Sequence, residues 1–215
     1  MWDAQDDALR DFDVVRLEHP GHRDEPMIEL HDVGDLARRV LATVQSERFS
    51  FVGLSLGGAV GMQLALDAPE RLDRLVLACT SARFGDSKGW DERIELARTK
   101  GMEGIAGAVL PRWFTPAFDD VQRFRTMLVA TPPEIYVRYC EILRDFDLRG
   151  ALGPIEAPTL AIAGAEDPTS PPEQLESLAA EIPRASVVVI HRAAHLANVE
   201  RADDFNRALL EHLGA

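Results

Sequence analysis

A serine flanked by glycines is the residue of this sequence whose surroundings best suit chemistry. Ser55 lies at the centre of Gly53-Leu-Ser55-Leu-Gly57, a G-x-S-x-G pattern with an apolar run before it and an apolar helical pattern after it. This arrangement predicts a strand, a sharp turn carrying the serine, and a helix whose N-terminal N–H groups face a developing oxyanion. We expect Gly53 and Gly57 to avoid Cβ clashes in that turn. The pentapeptide alone is equally compatible with an ordinary glycine-rich turn.

A serine hydroxyl needs a positioned base, and the base needs a third group to orient it. Each has two candidates downstream. The acid is Glu166 or Asp167, and we favour Asp167 because Pro168 follows it and fixes the turn. The base is His191 or His195; His191 directly ends a predicted strand, so His195 is favoured. The resulting order of Ser55, Asp167 and His195, each after a strand, predicts a nucleophilic triad.

The elements that must position these residues alternate along the chain. The sequence predicts strands at 13–17, 48–53, 72–78, 158–164 and 186–190, and helices at 1–10, 31–44, behind Ser55, 172–181 and 202–213. Alternation at this rhythm predicts a mostly parallel sheet with helices on both faces, an α/β fold. Because carboxyl ends of parallel strands share one edge, the three catalytic candidates are expected to meet there.

The alternation stops between the third and fourth predicted strands of this series. Helical patterns occur at 90–98, 105–113, 121–130 and 133–144, with no convincing strand among them. We therefore expect residues 1–80 and 152–215 to form the core, and residues 81–151 to form an inserted helical lid.

Composition restricts the partners. The 215 residues carry a formal net charge of −13, which argues against nucleic acid and anionic membrane surfaces as partners. No apolar window is long enough to span a membrane, and the N-terminus is acidic, so a cytoplasmic location is expected. Cys79 and Cys140 lie in apolar surroundings and are expected to be buried thiols.

Two histidines in one turn could imitate a metal site. His19 and His22 lie near Asp24 and Glu25, but their spacing suits neither a closed zinc set nor the His-Glu-x-x-His helix. We predict a solvated turn and no metal.

Seven longer motifs carry a resemblance to known proteins: Gly53–Gly58, Ala68–Arg71, Leu75–Arg83, Arg112–Phe118, Ala130–Pro133, Arg144–Leu148 and Ala194–Glu200. Together they resemble one known family, the 3-oxoadipate enol-lactonases of the α/β-hydrolase fold. The resemblance runs from Met1 to the C-terminus, and the motifs in the insertion separate this family from general esterases.

The resemblance implies a cofactor-free hydrolase that opens a five-membered enol-lactone to 3-oxoadipate in bacterial breakdown of aromatic compounds. It also implies the roles of the residues. Ser55 attacks the lactone carbonyl, His195 moves protons, Asp167 holds the His195 tautomer, and the N–H of Leu56 is one oxyanion donor.

The sequence departs from the family at its start. Met1 aligns just after a glycine-containing loop that supplies the second oxyanion donor in the family, so the first strands are expected to be missing. Either the reading frame starts upstream or a partner chain replaces those strands, and we favour the first. The turn Glu18–Arg23 also differs from the family's Asp-x-x-Gly-His-Gly-like turn.

The substrate implied by the resemblance is a small anionic lactone or ester, so a cation is expected near the site of this acidic protein. Arg112 and Arg144 are the candidates, and Trp113 is a candidate apolar wall. The alternative is that both arginines lie on the surface and pair with Asp119, Asp145 or Asp147.

Three other interpretations remain open. A general carboxylesterase and a cofactor-free haloperoxidase-like hydrolase share the same triad and differ in the lid. A non-catalytic remnant of the fold would agree with the missing loop. The sequence leaves a homo-oligomer open.

Overall fold

One parallel sheet forms the centre of the protein. The computed structural model describes residues 1–214. Its strands β1 (Phe49–Leu54), β2 (Leu72–Ala78), β3 (Thr159–Gly164) and β4 (Ala185–Ile190) pair in the order β1-β2-β3-β4, all parallel. The helices are α1 (Val33–Thr43), α2 (Leu56–Asp67), α3 (Ser87–Trp113), α4 (Val121–Val129), α5 (Pro133–Asp145), α6 (Pro172–Glu181), α7 (Ala197–Glu200) and α8 (Ala202–Leu213). The predicted α/β architecture, a parallel sheet flanked by helices with a helical insertion, is confirmed.

Strand β2 shows how the sheet is buried on both faces. Leu75 and Leu77 belong to an apolar cluster with residues of α1 and α2. Val76 and Ala78 point the other way and pack with Phe205 of α8. All four strand residues are fully buried, as expected for a central parallel strand that carries apolar side chains at consecutive positions.

Local signals set the helix boundaries around the sheet. Asp32 and Asp35 form a capping box at the start of α1, in which each side chain accepts a backbone N–H at the other residue. Helix α6 starts at Pro172, whose missing N–H costs nothing in the first turn. Helix α8 ends at Gly214, which has a φ of 82°. These ends agree with the predicted helices 172–181 and 202–213.

The segment between β2 and β3 is helical, as predicted. Helices α3, α4 and α5 pack around their own apolar cluster, which includes Ile105, Val109, Phe114 and Phe124. Helix α3 is interrupted at Gly101, which has a φ of 62°. A β-bridge between Arg83 and Asp147 joins the two ends of the segment. We call residues 87–145 the helical insertion.

Buried amides tie the start of the chain to its last helices. Residues Asp3–Gln5 form a 3-10 helix, shorter than the helix predicted at 1–10. The side-chain amide of Gln5 donates to the Asn198 carbonyl and to the Asn206 side chain, both at 2.9 Å. The Asn198 side chain donates back to the Gln5 side chain at 3.3 Å. Gln5 and Asn198 are both fully buried, so the network is internal.

The predicted strand at 13–17 was wrong, because this segment has no regular secondary structure. A strand needs a neighbour for its backbone hydrogen bonds, and none of the strands within residues 1–214 pairs with it. The segment exposes Val14 and Val15, and the other exposed large apolar side chains, Phe12, Met27 and Ile28, lie nearby in sequence.

Across residues 1–214, every helix is too short or too polar to cross a membrane.

Candidate active site

The carboxyl ends of the strands place the catalytic candidates at one edge of the sheet. Ser55 directly follows β1, Asp167 follows β3, and His195 follows β4. The three strands are parallel, so residues separated by 140 positions, such as Ser55 and His195, come into hydrogen-bond contact.

Ser55 occupies a strained turn between β1 and α2. Its φ of 55° and ψ of −114° lie in a region that residues with a side chain rarely adopt. The Ser55 N–H donates to the Ala78 carbonyl at 2.9 Å, and its own carbonyl accepts the N–H of Ala59 at 3.1 Å. These bonds hold the turn so that α2 begins immediately, at Leu56. The N–H of Leu56 lies in the first turn of that helix, where N–H groups have no intrahelical acceptor.

The glycines of the motif differ in how much space a Cβ atom would have. A Cβ on Gly53 would lie 2.1 Å from the carbonyl oxygen of Gly57, so only glycine fits there, as predicted. The same prediction for Gly57 was wrong, because a Cβ on Gly57 would meet no atom within 4 Å. The crowded neighbour is instead Gly58, whose Cβ would lie 2.6 Å from the Thr80 side chain.

The imidazole of His195 bridges the other two residues. Its Nε2 lies 2.9 Å from Ser55 Oγ, and its Nδ1 lies 2.7 Å from Asp167 Oδ2. A carboxylate can only accept a hydrogen bond, so Nδ1 carries the proton and donates it to Asp167. Nε2 is then free to accept the Ser55 hydroxyl proton. Asp167 and His195 are 2% and 4% exposed, which keeps water from competing for these bonds.

The second oxygen of Asp167 is held by the turn that follows it. Asp167 Oδ1 accepts the N–H of Thr169 at 2.7 Å and the N–H of Ser170 at 3.1 Å. The buried carboxylate is therefore hydrogen-bonded on both oxygens, which compensates for its loss of water. Its orientation towards His195 is fixed by backbone groups.

The competing candidates lie outside this arrangement. Glu166 and His191 are both exposed. Glu166 contributes through its backbone only, where its N–H donates to the Ala193 carbonyl at 2.9 Å.

The two candidate arginines have different surroundings. Arg144 binds the carboxylates of Asp145 and Asp91 at 2.9–3.1 Å, which is the surface pairing considered as the alternative. These carboxylates raise the pKa of Arg144 above its ordinary value. Arg112 donates to the Pro168 carbonyl at 3.4 Å, so its guanidinium lies beside the Asp167 turn. The Arg112 Nε atom is buried and has no hydrogen-bond partner among the described residues.

The helical insertion contacts the loop that carries His195, residues Ala193–Leu196. The N–H of Leu196 donates to the carbonyl of Trp113, the last residue of α3, at 3.0 Å. Leu54 and Leu196, which flank the serine and the histidine in sequence, also pack in the apolar cluster of the insertion. Trp113 belongs to the same cluster and is only partly buried.

Two polar residues near the site were not found from the sequence. Thr80 Oγ1 donates to the Ser55 carbonyl at 2.7 Å and is fully buried. Glu200 accepts hydrogen bonds from the loop that carries His195 and from the insertion. Thr80 lies two residues after the end of β2, at the same sheet edge as Ser55, and this position was the available signal. Glu200 offered none.

The other candidate clusters contain no further catalytic arrangement. Among residues 1–214, no three His, Cys, Asp or Glu side chains are grouped as metal ligands. His19 and His22 are half-buried and pack against the Tyr139 ring, with centroids 5.6 and 5.3 Å away. The prediction of a solvated turn was therefore wrong for these two side chains, because Tyr139 covers them. Cys79 and Cys140 are buried and free, as predicted, and burial raises the pKa of each thiol to about 12.

Known proteins share this sequence pattern and this fold. A model described as the alpha/beta hydrolase family matches residues 1–208. The chain is 32% identical over 219 residues to 3-oxoadipate enol-lactonase 2 of Acinetobacter baylyi, covering 97% of this chain and 82% of that protein.

Two solved structures superpose over the whole chain. The enol-lactonase from Burkholderia xenovorans LB400 has a TM-score of 0.95 and 35% identity, with 100% of this chain and 86% of that chain covered. A hydrolase from Pseudomonas aeruginosa PA01 has a TM-score of 0.92 and 41% identity, with 100% and 84% covered.

Proposed function

Because this chain belongs to the alpha/beta hydrolase family and is related within it to 3-oxoadipate enol-lactonases, we propose that it opens 3-oxoadipate enol-lactone to 3-oxoadipate. The chain is a hydrolase of esters or lactones, and the identity of the substrate is the proposed part. The observation that carries the choice of substrate is the similarity over nearly the whole chain to 3-oxoadipate enol-lactonases. The mechanism is supported by the His195 imidazole, which lies 2.9 Å from Ser55 Oγ and 2.7 Å from Asp167 Oδ2. By this reaction the chain would serve the bacterial breakdown of aromatic compounds.

In the first half of the proposed reaction, Ser55 becomes acylated. His195 Nε2 takes the hydroxyl proton while Oγ attacks the lactone carbonyl carbon, and the N–H of Leu56 donates to the resulting oxyanion. Asp167 stabilises the imidazolium, which then gives its proton to the ring oxygen as the acyl–oxygen bond breaks. The released enol remains part of the acyl group, because a lactone has its acyl and alkoxy parts in one molecule.

In the second half, water releases the product. His195 removes a proton from water, the hydroxide attacks the acyl carbon, and the Ser55 Oγ–carbon bond breaks with return of the proton to Oγ. One water is consumed, and the enol of the product tautomerises to 3-oxoadipate.

For the substrate carboxylate we favour Arg112 over Arg144. Arg112 has a buried Nε without a partner and lies beside the Asp167 turn, whereas Arg144 is occupied by Asp145 and Asp91. Trp113 would provide an apolar wall, since its backbone is bonded to the loop that carries His195. We propose that the helical insertion, within residues 81–151, acts as the lid over a core formed by residues 1–80 and 152–215.

Two variants separate the arginines. Hydrogen bonds to charged groups contribute about 1.5–3 kcal/mol, so Arg112→Ala is expected to raise KM for the enol-lactone about 10–100-fold. It should leave KM for a neutral acetate ester unchanged, because that ester has no carboxylate. Arg144→Ala is the matched control and should change neither value. An unchanged KM in Arg112→Ala contradicts this assignment.

The function is tested by turnover of the enol-lactone against short neutral acyl esters, with Ser55→Ala as the inactive control. We expect kcat/KM for the enol-lactone to exceed that for p-nitrophenyl acetate by about 10²-fold or more. The reverse ranking would identify a general carboxylesterase. If a fluorophosphonate probe forms no adduct on Ser55, the chain is not a serine hydrolase under these conditions, and the mechanism is wrong.

A further inference from the structure

The backbone of the loop that carries His195 is hydrogen-bonded to three separate parts of the protein. Residues Ala193–Leu196 lie between β4 and α7, and all four are buried. The Ala193 carbonyl accepts the N–H of Glu166, and the N–H of Leu196 donates to the Trp113 carbonyl. The N–H of Ala194, the residue before the histidine, donates to a side chain.

That side chain is the carboxylate of Glu200, the last residue of α7. Glu200 Oε2 accepts the Ala194 N–H at 2.8 Å. Glu200 Oε1 accepts the Thr115 N–H at 2.9 Å and also the Thr115 hydroxyl. Thr115 lies two residues beyond the end of α3, in the helical insertion. One carboxylate therefore joins the insertion to the residue that precedes the catalytic histidine.

The hydrogen bonds to the Glu200 carboxylate can fix the positions of Ala194 and Thr115. An ionised carboxylate that accepts backbone N–H groups forms shorter and stronger bonds than a neutral acceptor. Ala194 and Thr115 are 2% and 9% exposed, so water cannot easily replace the carboxylate. A glutamine has only one acceptor oxygen and would aim its NH₂ group at one of the two N–H donors.

We infer that Glu200 is a positioning residue, which holds the His195 loop against the helical insertion so that Nε2 remains aligned with Ser55 Oγ. The inference rests on the proposed function, because it requires a histidine that activates Ser55. Glu200 does not touch the reacting atoms in this arrangement. It acts through Ala194 on one side and through Thr115 on the other.

The rate at which a fluorophosphonate labels Ser55 tests this inference without any assumption about the natural substrate. We expect Glu200→Gln to lower the labelling rate at least tenfold and Thr115→Val, which removes only the hydroxyl bond, to lower it severalfold. Glu211→Gln, an exposed acid on α8, is the matched control and should be unchanged. In the double variant the loss should equal that of Glu200→Gln alone, because both changes break one bridge.

Two further readouts separate positioning from loss of fold. With an ester substrate, Glu200→Gln should lower kcat and leave KM nearly unchanged. The low-field proton resonance of the His195–Asp167 hydrogen bond should broaden or disappear in Glu200→Gln at temperatures where the variant is folded. Should Glu200→Gln not fold, Thr115→Val carries the test, since its backbone N–H bond and side-chain volume are retained.

The inference is overturned if folded Glu200→Gln labels at the wild-type rate, if Thr115→Val does so when Glu200→Gln does not fold, or if the two losses multiply in the double variant. A wild-type chain that is labelled but does not hydrolyse the enol-lactone overturns the proposed substrate only. A wild-type chain that is not labelled overturns both, because no activated serine then exists to be aligned.

Discussion

Replacing Gly53 with alanine is expected to disrupt the turn that carries Ser55, whereas the same change at Gly57 is not. Both glycines belong to the G-x-S-x-G pattern, and the sequence gives no reason to separate them. The structure does, because a Cβ on Gly53 would lie 2.1 Å from the Gly57 carbonyl oxygen and 2.7 Å from the backbone nitrogen of Gly58. A Cβ on Gly57 would meet nothing within 4 Å.

The magnitude follows from that distance. Ordinary contact begins at about 3.4 Å, so strand β1 and the first turn of α2 would have to separate by more than 1 Å. Overpacking costs about 1–3 kcal/mol when side chains can adjust, and here the obstacle is backbone. We expect Gly53→Ala to lower the free energy of unfolding by about 3 kcal/mol. For a chain of this length, that corresponds to a fall in Tm of about 6–12 °C.

The same displacement should also affect catalysis. It would shift Ser55 Oγ relative to His195 Nε2, and it would shift the N–H of Leu56 relative to the oxyanion. A misplacement of about 1 Å at a reacting group can cost about 10²-fold in rate. We therefore expect Gly53→Ala to be labelled at Ser55 about 10²-fold more slowly than the wild-type chain.

The assay is thermal unfolding together with the fluorophosphonate labelling rate, measured for both variants. Gly57→Ala should leave the free energy of unfolding unchanged or raise it by up to about 1 kcal/mol, because alanine is a better helix former than glycine in α2. If the two variants lost equal stability and equal labelling rate, close approach of the backbone would not be the reason for glycine at position 53.

Three other expectations concern pH, orientation of the base, and the turn itself. Burial, followed by the charges of His22 and Arg39, lowers the pKa of His19 to about 4 from an ordinary value near 6.5. The unfolded chain then binds the proton more readily than the folded chain, so this group leaves stability unaffected above pH 6.5. The free energy of unfolding should fall by about 2–3 kcal/mol as the pH decreases from 6.5 to 4. In denaturant unfolding, His19→Gln should flatten this pH dependence, whereas a change at the exposed His31, His31→Gln, should retain it. Asp167→Asn should lower kcat by about 10³–10⁴-fold with little change in KM, because an amide that donates to His195 Nδ1 leaves the proton on Nε2. A loss of kcat below tenfold in steady-state kinetics would contradict the assigned tautomer. Thr80→Val should lower the unfolding free energy by about 1 kcal/mol in urea titrations, since one buried hydrogen bond to the Ser55 carbonyl is lost, and a variant as stable as the wild type would argue against that contribution.

Much of the fold is readable from local signals. Helices α6 and α8 begin and end at the predicted residues, because Pro172 opens one and Gly214 follows the other. The strand predicted at 13–17 failed for a non-local reason. Its Val14 and Val15 have high strand propensity, but propensity does not supply the neighbouring strand that a ladder requires.

The candidate site is predictable as far as strand order goes. Asp167 and His195 could be paired with Ser55 because parallel strands bring their carboxyl ends to one edge of the sheet. Glu200 was beyond reach, because its partners Ala194 and Thr115 lie 6 and 85 positions away and meet only once the insertion has packed. The free space around Gly57 was also not predictable from the sequence, because it depends on where neighbouring atoms lie in the folded chain.

Under the proposed mechanism, the separation of the site residues along the chain also determines when Ser55 becomes reactive during synthesis. Ser55 and His195 are 140 positions apart, and the amides of Gln5 and Asn198 that brace α7 are 193 apart. At about 5–20 residues per second, a ribosome adds the histidine roughly 7–28 s after the serine. Throughout that interval the growing chain carries an ordinary alcohol at position 55. If the proposed mechanism holds, Ser55 of the nascent protein therefore cannot form an acyl-enzyme with a metabolite before His195 has been added.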